Sequence, residues 1–327
     1  MSPIISPKKL ADAIGVSESS LKRWADDGQI NVSRTAGGHR RIPIGEAIRF
    51  IRAIRAPLIR PEALGLSDMP ACGDPVLSTE SPAERLFAHL VEGKAREARG
   101  LILSLYLSGA SLAEIADGPI RSAMKRLGEL WSHEPDGIFL EHRATDICIQ
   151  AVEQLRLLVE PPTEGPVALG GAPPGDPYLL PSMLAATTLA ADGWHVVNLG
   201  PDTPFSAMLA AVERHAPRLV WLSISSIRNQ KEVEEGVAEL SARLSERGTA
   251  LILGGQAAGA LPIPKHMHSR RGESLADLLT LANELRFASC AKPEDGAASG
   301  KPRQRPATGD TPTAGETLSV RLPRDAP

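Results

Sequence analysis

Eleven lysines and arginines crowd the first sixty residues of this 327-residue chain: Lys8, Lys9, Lys22, Arg23, Arg34, Arg40, Arg41, Arg49, Arg52, Arg55 and Arg60. Five acids oppose them there, Asp12, Glu18, Asp26, Asp27 and Glu46, leaving a local excess of +6 in a chain whose overall formal charge is -3. The chemistry open to such a block is electrostatic rather than covalent. Cations held on one surface neutralise phosphates, and an arginine fork also reads the edge of a guanine. Many solvated faces are basic, so the charges mean something only if the local structure aligns them.

The punctuation of the same residues predicts that alignment. Ser6-Pro7 reads as a helix cap with proline at the first helical position, and Leu10, Ala11, Ala13 and Ile14 follow at helical spacing until Gly15. Ser17 caps a second helix from Glu18 to Asp27, closed by Gly28. Two short helices about a tight turn predict a helix-turn-helix, whose second member enters the major groove. Ile30 to Arg34, the turn Thr35-Ala36-Gly37-Gly38 and His39 to Ile42 predict a hairpin with basic arms, a wing. Residues 44–56 read as a third helix, and Pro57, Pro61, Pro70 and Pro75 mark a linker.

Two changes of periodicity follow. From Pro82 to Val159 the pattern is helical, with breaks at Gly109-Ala110-Ser111, Gly118-Pro119 and Pro135-Asp136-Gly137, which predicts a helical bundle. After Pro161-Pro162, apolar runs at 167–169, 195–199, 219–224 and 250–253 alternate with helical stretches near 178–191, 204–215, 231–247 and 274–286. Such alternation predicts an open parallel sheet covered by helices, binding ligands beyond the carboxyl ends of its strands. The expected architecture is multidomain, α plus α/β. It comprises a winged helix-turn-helix DNA-binding domain at 1–56, a linker at 57–81, a four-helix bundle at 82–160, a Rossmann-like doubly wound parallel sheet at 163–290 and a disordered tail at 291–327, rich in Pro, Gly and Thr.

The residues Leu10 to Ile42, LADAIGVSESSLKRWADDGQI followed by RTAGGHRRI, resemble the N-terminal domain of MerR-type regulators. Helix caps, a core tryptophan at Trp24, the Asp-Gly stop and the Gly-Gly-His-Arg-Arg wing occur together and in order. The resemblance implies that Ser19, Ser20, Lys22 and Arg23 face the groove, and that Arg34, His39, Arg40 and Arg41 touch backbone or minor groove from the wing. Trp24 itself reads as core rather than as a wedge between bases.

A second resemblance covers most of the remaining ordered chain. Trp131, then nine residues, then Glu141-His142, looks like the signature of the cobalamin-binding light-sensing repressors, in which a MerR-type domain precedes a four-helix bundle and a Rossmann-like cobalamin domain. The resemblance implies adenosylcobalamin between bundle and sheet, with Trp131, Glu141 and His142 over its upper face and His142 the candidate cobalt ligand. The sheet half is similar to a cobalamin domain through Pro174-Gly175-Asp176, Leu199 to Pro204, Ser223-Ile224-Ser225 and Leu253-Gly254-Gly255-Gln256. Ser223 and Ser225 would hydrogen-bond a buried nucleotide-like tail, and Gly254 and Gly255 would admit a bulky ligand to the backbone.

One departure is chemical. Where that family places an Asp/Glu-x-His-x-x-Gly motif with His below the cobalt, this chain reads Asp176-Pro177-Tyr178-Leu179-Leu180-Pro181. A neutral imidazole donates well to a transition metal, whereas a phenol, ordinarily protonated up to a pKa of about 10, does so poorly. Either cobalamin binds without a protein ligand below the metal, or the crevice has lost it.

Composition bounds the remaining classes. With 42% hydrophobic and 23% charged residues the chain is globular in type. No apolar run approaches the roughly 20 residues needed to cross a bilayer, and the N-terminus lacks a signal core, so no membrane partner and a cytoplasmic location are expected. Cys72, Cys148 and Cys290 are odd in number and far apart, which fits neither a disulfide framework nor a metal motif. His266 and His268 read as an exposed basic loop, while His133 and His195 lack a partner pattern. No nucleophile-base constellation or catalytic barrel is legible, so an enzyme is not expected. The expected function is a DNA-binding transcriptional regulator, a repressor by resemblance, controlled by a C-terminal sensor domain that resembles adenosylcobalamin-binding photoreceptors, with double-stranded DNA as partner and self-association as dimer or tetramer. The alternative is a cofactor-free regulator whose degenerate cobalamin-type half serves oligomerisation or docks an antirepressor protein.

Overall fold

The computed structural model describes residues 4–68, 80–131, 137–159, 165–264 and 268–288. The tail at 291–327, Cys72, Cys290, His133 and His266 lie outside the described residues, and so does the side chain of Trp131.

The first helix, α1 (Pro7–Ile14), begins where Ser6 Oγ accepts from Lys9 N and ends on Gly15 in a left-handed conformation. The Gly15 φ of 71° strains any residue with a side chain, and a Cβ there would also press on the tip of Ile59 at 2.2 Å. Ser17 Oγ accepts from Ser20 N to open α2 (Glu18–Asp26). A three-stranded antiparallel sheet follows, ordered β1 (Ile4–Ile5), β3 (Arg40–Pro43), β2 (Ser33–Arg34), with the hairpin strands shorter than the extended runs suggested. α3 (Ile44–Ile54) then lays Ile44, Ala47, Ile48, Phe50 and Ile51 into the core. Trp24 packs its ring 5.3 Å from that of Phe50, the core role its sequence context implies.

Residues 57–68, read from their prolines as linker, are instead fastened down. Leu58, Leu64 and Leu66 are buried, and the amides of Ile59 and Arg60 both donate to Ala13 O. Asp68 accepts from Arg99 Nε at 2.8 Å and Gln154 Nε2 at 3.0 Å, and the Arg99 guanidinium holds its carboxyl below the usual range. Proline here shapes a tight path, including a 3-10 turn at Pro61–Leu64, rather than a free tether.

The bundle comprises α4 (Pro82–Glu92), α5 (Ala95–Leu107), α6 (Leu112–Ile115), α7 (Arg121–Trp131) and α8 (Gly137–Leu158). Gly118-Pro119, expected to break the helix, sits inside a π-helical turn at Ala116–Ile120 that joins α6 to α7 without interruption. The break between α4 and α5 falls on Gly93-Lys94 instead. Cys148 is wholly buried on α8, and burial pushes its thiol up to about 12. It is an inert thiol in the native state.

The C-terminal half is a five-stranded parallel sheet ordered β5 (His195–Asn198), β4 (Val167–Gly171), β6 (Leu219–Ser223), β7 (Ala250–Gly254), β8 (Ser269–Arg271). The edge strand β8 was not legible; its residues belong to the stretch that reads as a basic loop. Strand alternation divides the core. Val220, Leu222, Leu251 and Leu253 face α10 (Phe205–His215) and α11 (Gln230–Glu246). Ala168, Leu219, Trp221, Ala250 and Ile252 face α9 (Leu179–Ala191) and α12 (Leu275–Ala288). Leu180 and Met183 of α9 enter the core that the bundle shares with the N-terminal helices. No helix among the described residues is long and apolar enough to cross a membrane.

Candidate functional site

Two surfaces carry the chemistry that the sequence singles out. On the first, Ser19, Lys22 and Arg23 recur at helical spacing on the exposed side of α2, with Ser20 half-buried beside them. Ser19 and Ser20 are not free hydroxyls, because Ser17 Oγ lies 2.8 and 2.9 Å from theirs. Lys22 pairs with Glu18 at 3.0 Å, a surface contact that a phosphate can displace at small cost. Arg34, His39 and Arg41 are exposed on the hairpin. Among the described residues Arg23, Arg34 and Arg41 make no ion pair.

Arg40 behaves differently. Its guanidinium turns inward, donating to Lys22 O at 3.0 Å and to the Asp26 carboxylate, and its side chain is only 17% exposed. It fastens the hairpin to the last turn of α2, and this contact brings the exposed cations of the two elements onto neighbouring ground. Glu46 has a comparable role on the other side. Its buried carboxylate accepts from Asn31 N at 2.6 Å and from Arg49 Nε and Nη2 at 2.7 and 2.6 Å. Burial raises its pKa, but the Arg49 and Asn31 bonds outweigh burial and leave it below the ordinary value of 4.5.

The second surface is the carboxyl edge of the sheet, where the chain leaves β4 and β6 in opposite senses along the strand order. In such sheets this is where ligands bind. Here it is occupied by Asp176, whose side chain is completely buried. Oδ1 accepts from Tyr178 N at 3.1 Å, and Oδ2 accepts from Ser225 N at 2.6 Å and Ser226 N at 3.2 Å. The loop after β5 joins the same knot, with Asp202 N donating to Asp176 O and Gly175 N donating to Asp202 Oδ1.

The neighbouring residues decide whether this edge fits a corrinoid. Tyr178 is 43% exposed and is the residue standing where the resemblance would place a metal-binding imidazole. Ser223 is buried at the end of β6, and Trp221, two residues earlier on the same face, is 2% exposed. Trp221 stands opposite Gly170 in register, and a side chain at Gly170 would lie 2.2 Å from its indole. The Trp221 Nε1 is buried without an acceptor among the described residues, so the ring is there for its volume. Gly255 needs its left-handed φ of 99° and missing side chain for an internal reason, since a Cβ would sit 2.4 Å from Ile224 O. At Gly254 the nearest atom to a Cβ is 3.7 Å away, ordinary contact. On the bundle side, Glu141 and His142 lie on α8 with His142 Nε2 3.6 Å from Glu141 Oε2 and the imidazole 75% exposed. Among the described residues no three His, Cys, Asp or Glu side chains form a metal-binding group. His142 is open to a ligand, while Glu141 is half-buried and accepts from Thr145 Oγ1 at 2.9 Å; the lower donor set and the sheet face do not fit a corrinoid.

Sequence reasoning missed three residues that organise these surfaces. Arg52 ties α3 to the bundle, donating to Ala110 O at 3.0 Å and to Tyr106 O. Asp117, in the π-helical turn, accepts from Leu275 N and Ala276 N at 3.0 and 3.2 Å, capping α12 across the bundle–sheet boundary. Trp221 was the most accessible of the three, because strand period alone places it on the face of Ser223.

Residues 82–156, the helical bundle, match the family model described as a B12 binding domain. Over 290 residues the chain is 24% identical to the HTH-type transcriptional repressor CarA of Myxococcus xanthus, an alignment covering 86% of this chain and 97% of that protein. It thus resembles, through nearly its whole described length, a repressor of the kind that the order of its segments suggests. Among solved structures, the monomethylamine corrinoid protein of Methanosarcina barkeri is similar at 19% identity, covering 62% of this chain and 98% of that one, with a TM-score of 0.47. A cobalamin-binding protein of Desulfitobacterium hafniense is similar at 16% identity over the same shares, with a TM-score of 0.31. Likenesses of that extent bear on neither ligand nor partner.

Proposed function

We propose that this protein is a DNA-binding transcriptional regulator, acting as a repressor, whose residues 1–56 form a winged helix-turn-helix. The observation that carries the reading is the adjacency of an exposed Ser19, Lys22 and Arg23 on α2 to an exposed Arg34, His39 and Arg41 on the hairpin, fastened together by Arg40. In this reading α2 enters the major groove, and the hairpin cations clamp flanking phosphates or reach the minor groove. Its similarity to a repressor over 86% of the chain supports the same conclusion. A two-fold homo-oligomer on paired half-sites is the arrangement such a module uses. The C-terminal half then serves self-association or the docking of an antirepressor protein, without a cofactor.

A second reading, in which adenosylcobalamin sits between bundle and sheet, is favoured by the exposed His142 beside a half-buried Glu141 and by the match over residues 82–156. It lacks a donor below the metal.

The test is fluorescence anisotropy of the full chain with a labelled duplex at several salt concentrations. Affinity that falls steeply with salt is expected, with a slope near -0.9 per phosphate contacted. A duplex that attracts the protein at no ionic strength sinks the regulator reading.

A further inference from the structure

We infer that the C-terminal half is a cobalamin-type scaffold sealed by its own residues, Asp176 closing the crevice between β4 and β6 and Trp221 filling the sheet face beneath Ser223, so that it holds no corrinoid. The inference deepens the cofactor-free form of the regulator reading and rests on it for its meaning.

A ligand tail aimed at the Ser223 hydroxyl must pass the loops that follow β4 and β6, and these loops meet on a single wholly buried carboxylate. Asp176 binds the amides of Tyr178, Ser225 and Ser226, and its own carbonyl receives Asp202 N. Parting the loops breaks these charge-assisted hydrogen bonds together, and a ligand entering there must replace the three amide donors to the carboxylate. Past that closure the tail meets an indole. Trp221 lies against Gly170 at a separation that would not admit even a methyl group. Ala185, Ala186, Leu278 and Ala282 cover this face from α9 and α12, and all are buried. Closed packing of this kind cannot yield to a planar base without displacing a side chain of similar size. Gly255 does not loosen the edge either, because Ile224 already occupies the space its missing side chain provides.

A merely missing ligand and a sealed crevice predict different outcomes. Were Tyr178 the sole obstacle, restoring an imidazole at that exposed position would restore binding. Under the seal it does not.

The experiment uses the full-length wild type and Tyr178→His, each incubated in darkness with hydroxocobalamin and, separately, adenosylcobalamin. Samples are desalted and their visible spectra recorded; DNA affinity is then measured with and without each corrinoid, before and after green light. The expected result is that neither protein retains corrinoid beyond traces and that DNA affinity stays within about twofold throughout. Close to one equivalent retained by the wild type overturns the inference outright. Retention by Tyr178→His alone also overturns it, since the crevice would then be open and only the donor lost. Absence of DNA binding in samples that also retain no corrinoid would refute the regulator reading while leaving the seal intact.

Discussion

The guanidinium of Arg52 lies 3.8 Å from the centre of the Tyr106 ring, stacked over it, while donating to the carbonyls of Tyr106 and Ala110. One side chain from the last turn of α3 thereby binds the carboxyl end of α5 and the turn after it, adding a cationic donor to Tyr106 O beside the Gly109 amide and capturing Ala110 O. Burial pushes the Tyr106 hydroxyl above its usual pKa, with Arg52 opposing the shift. The N-terminal unit is therefore locked to the bundle rather than tethered to it. Arg52→Ala should cost about 1–3 kcal/mol, the sum expected for charged hydrogen bonds and a partly desolvated cation–π contact. Urea unfolding checks this, and an unchanged midpoint would show that the contact is idle.

Arg40 and Arg41 are neighbours with opposite duties. Arg40→Ala removes the clamp on Lys22 O and Asp26, so it should lower stability by about 1 kcal/mol. Arg41→Ala should leave the unfolding midpoint alone and reduce the salt slope of DNA binding by about 1. Measuring both quantities on both variants separates the roles, and equal effects would contradict the inward orientation of Arg40.

Glu46 links stability to acid. Its carboxyl is held below 4.5 in the fold, so the stabilisation is fully present above the unfolded value and drains away as pH falls from 4.5 through the folded one. Glu46→Gln should lose about 1–3 kcal/mol at neutral pH and should flatten the loss of stability on acidification. Thermal unfolding between pH 7 and pH 3 in both proteins provides the comparison.

Asp117 reaches across 158 residues of sequence to cap α12. Asp117→Ala should remove about 1 kcal/mol, typical of a helix cap, and should speed hydrogen exchange at the amides of Leu275 and Ala276. If exchange at those amides is unaltered, the bundle and sheet are joined by other means.

Local chemistry in the sequence was enough for most of the elements. Ser6-Pro7, Ser17 and Gly15 bound the first two helices by caps that depend only on near neighbours, and four of the five parallel strands declare themselves as short apolar runs. β8 stayed hidden because an edge strand with Arg270 and Arg271 exposed has no apolar face to announce it. The segment at 57–68 and the Gly118-Pro119 turn depart from the sequence expectation for one reason: proline and glycine report what a backbone cannot do locally, whereas burial of Leu58 and the cap given by Asp117 are decided by residues far along the chain. The candidate surfaces divide in the same way. Residue type and spacing fixed which side chains sit on α2 and the hairpin, but only packing turned Arg40 inward, and only the meeting of three loops and two strands put Asp176 and Trp221 where a ligand would have to go.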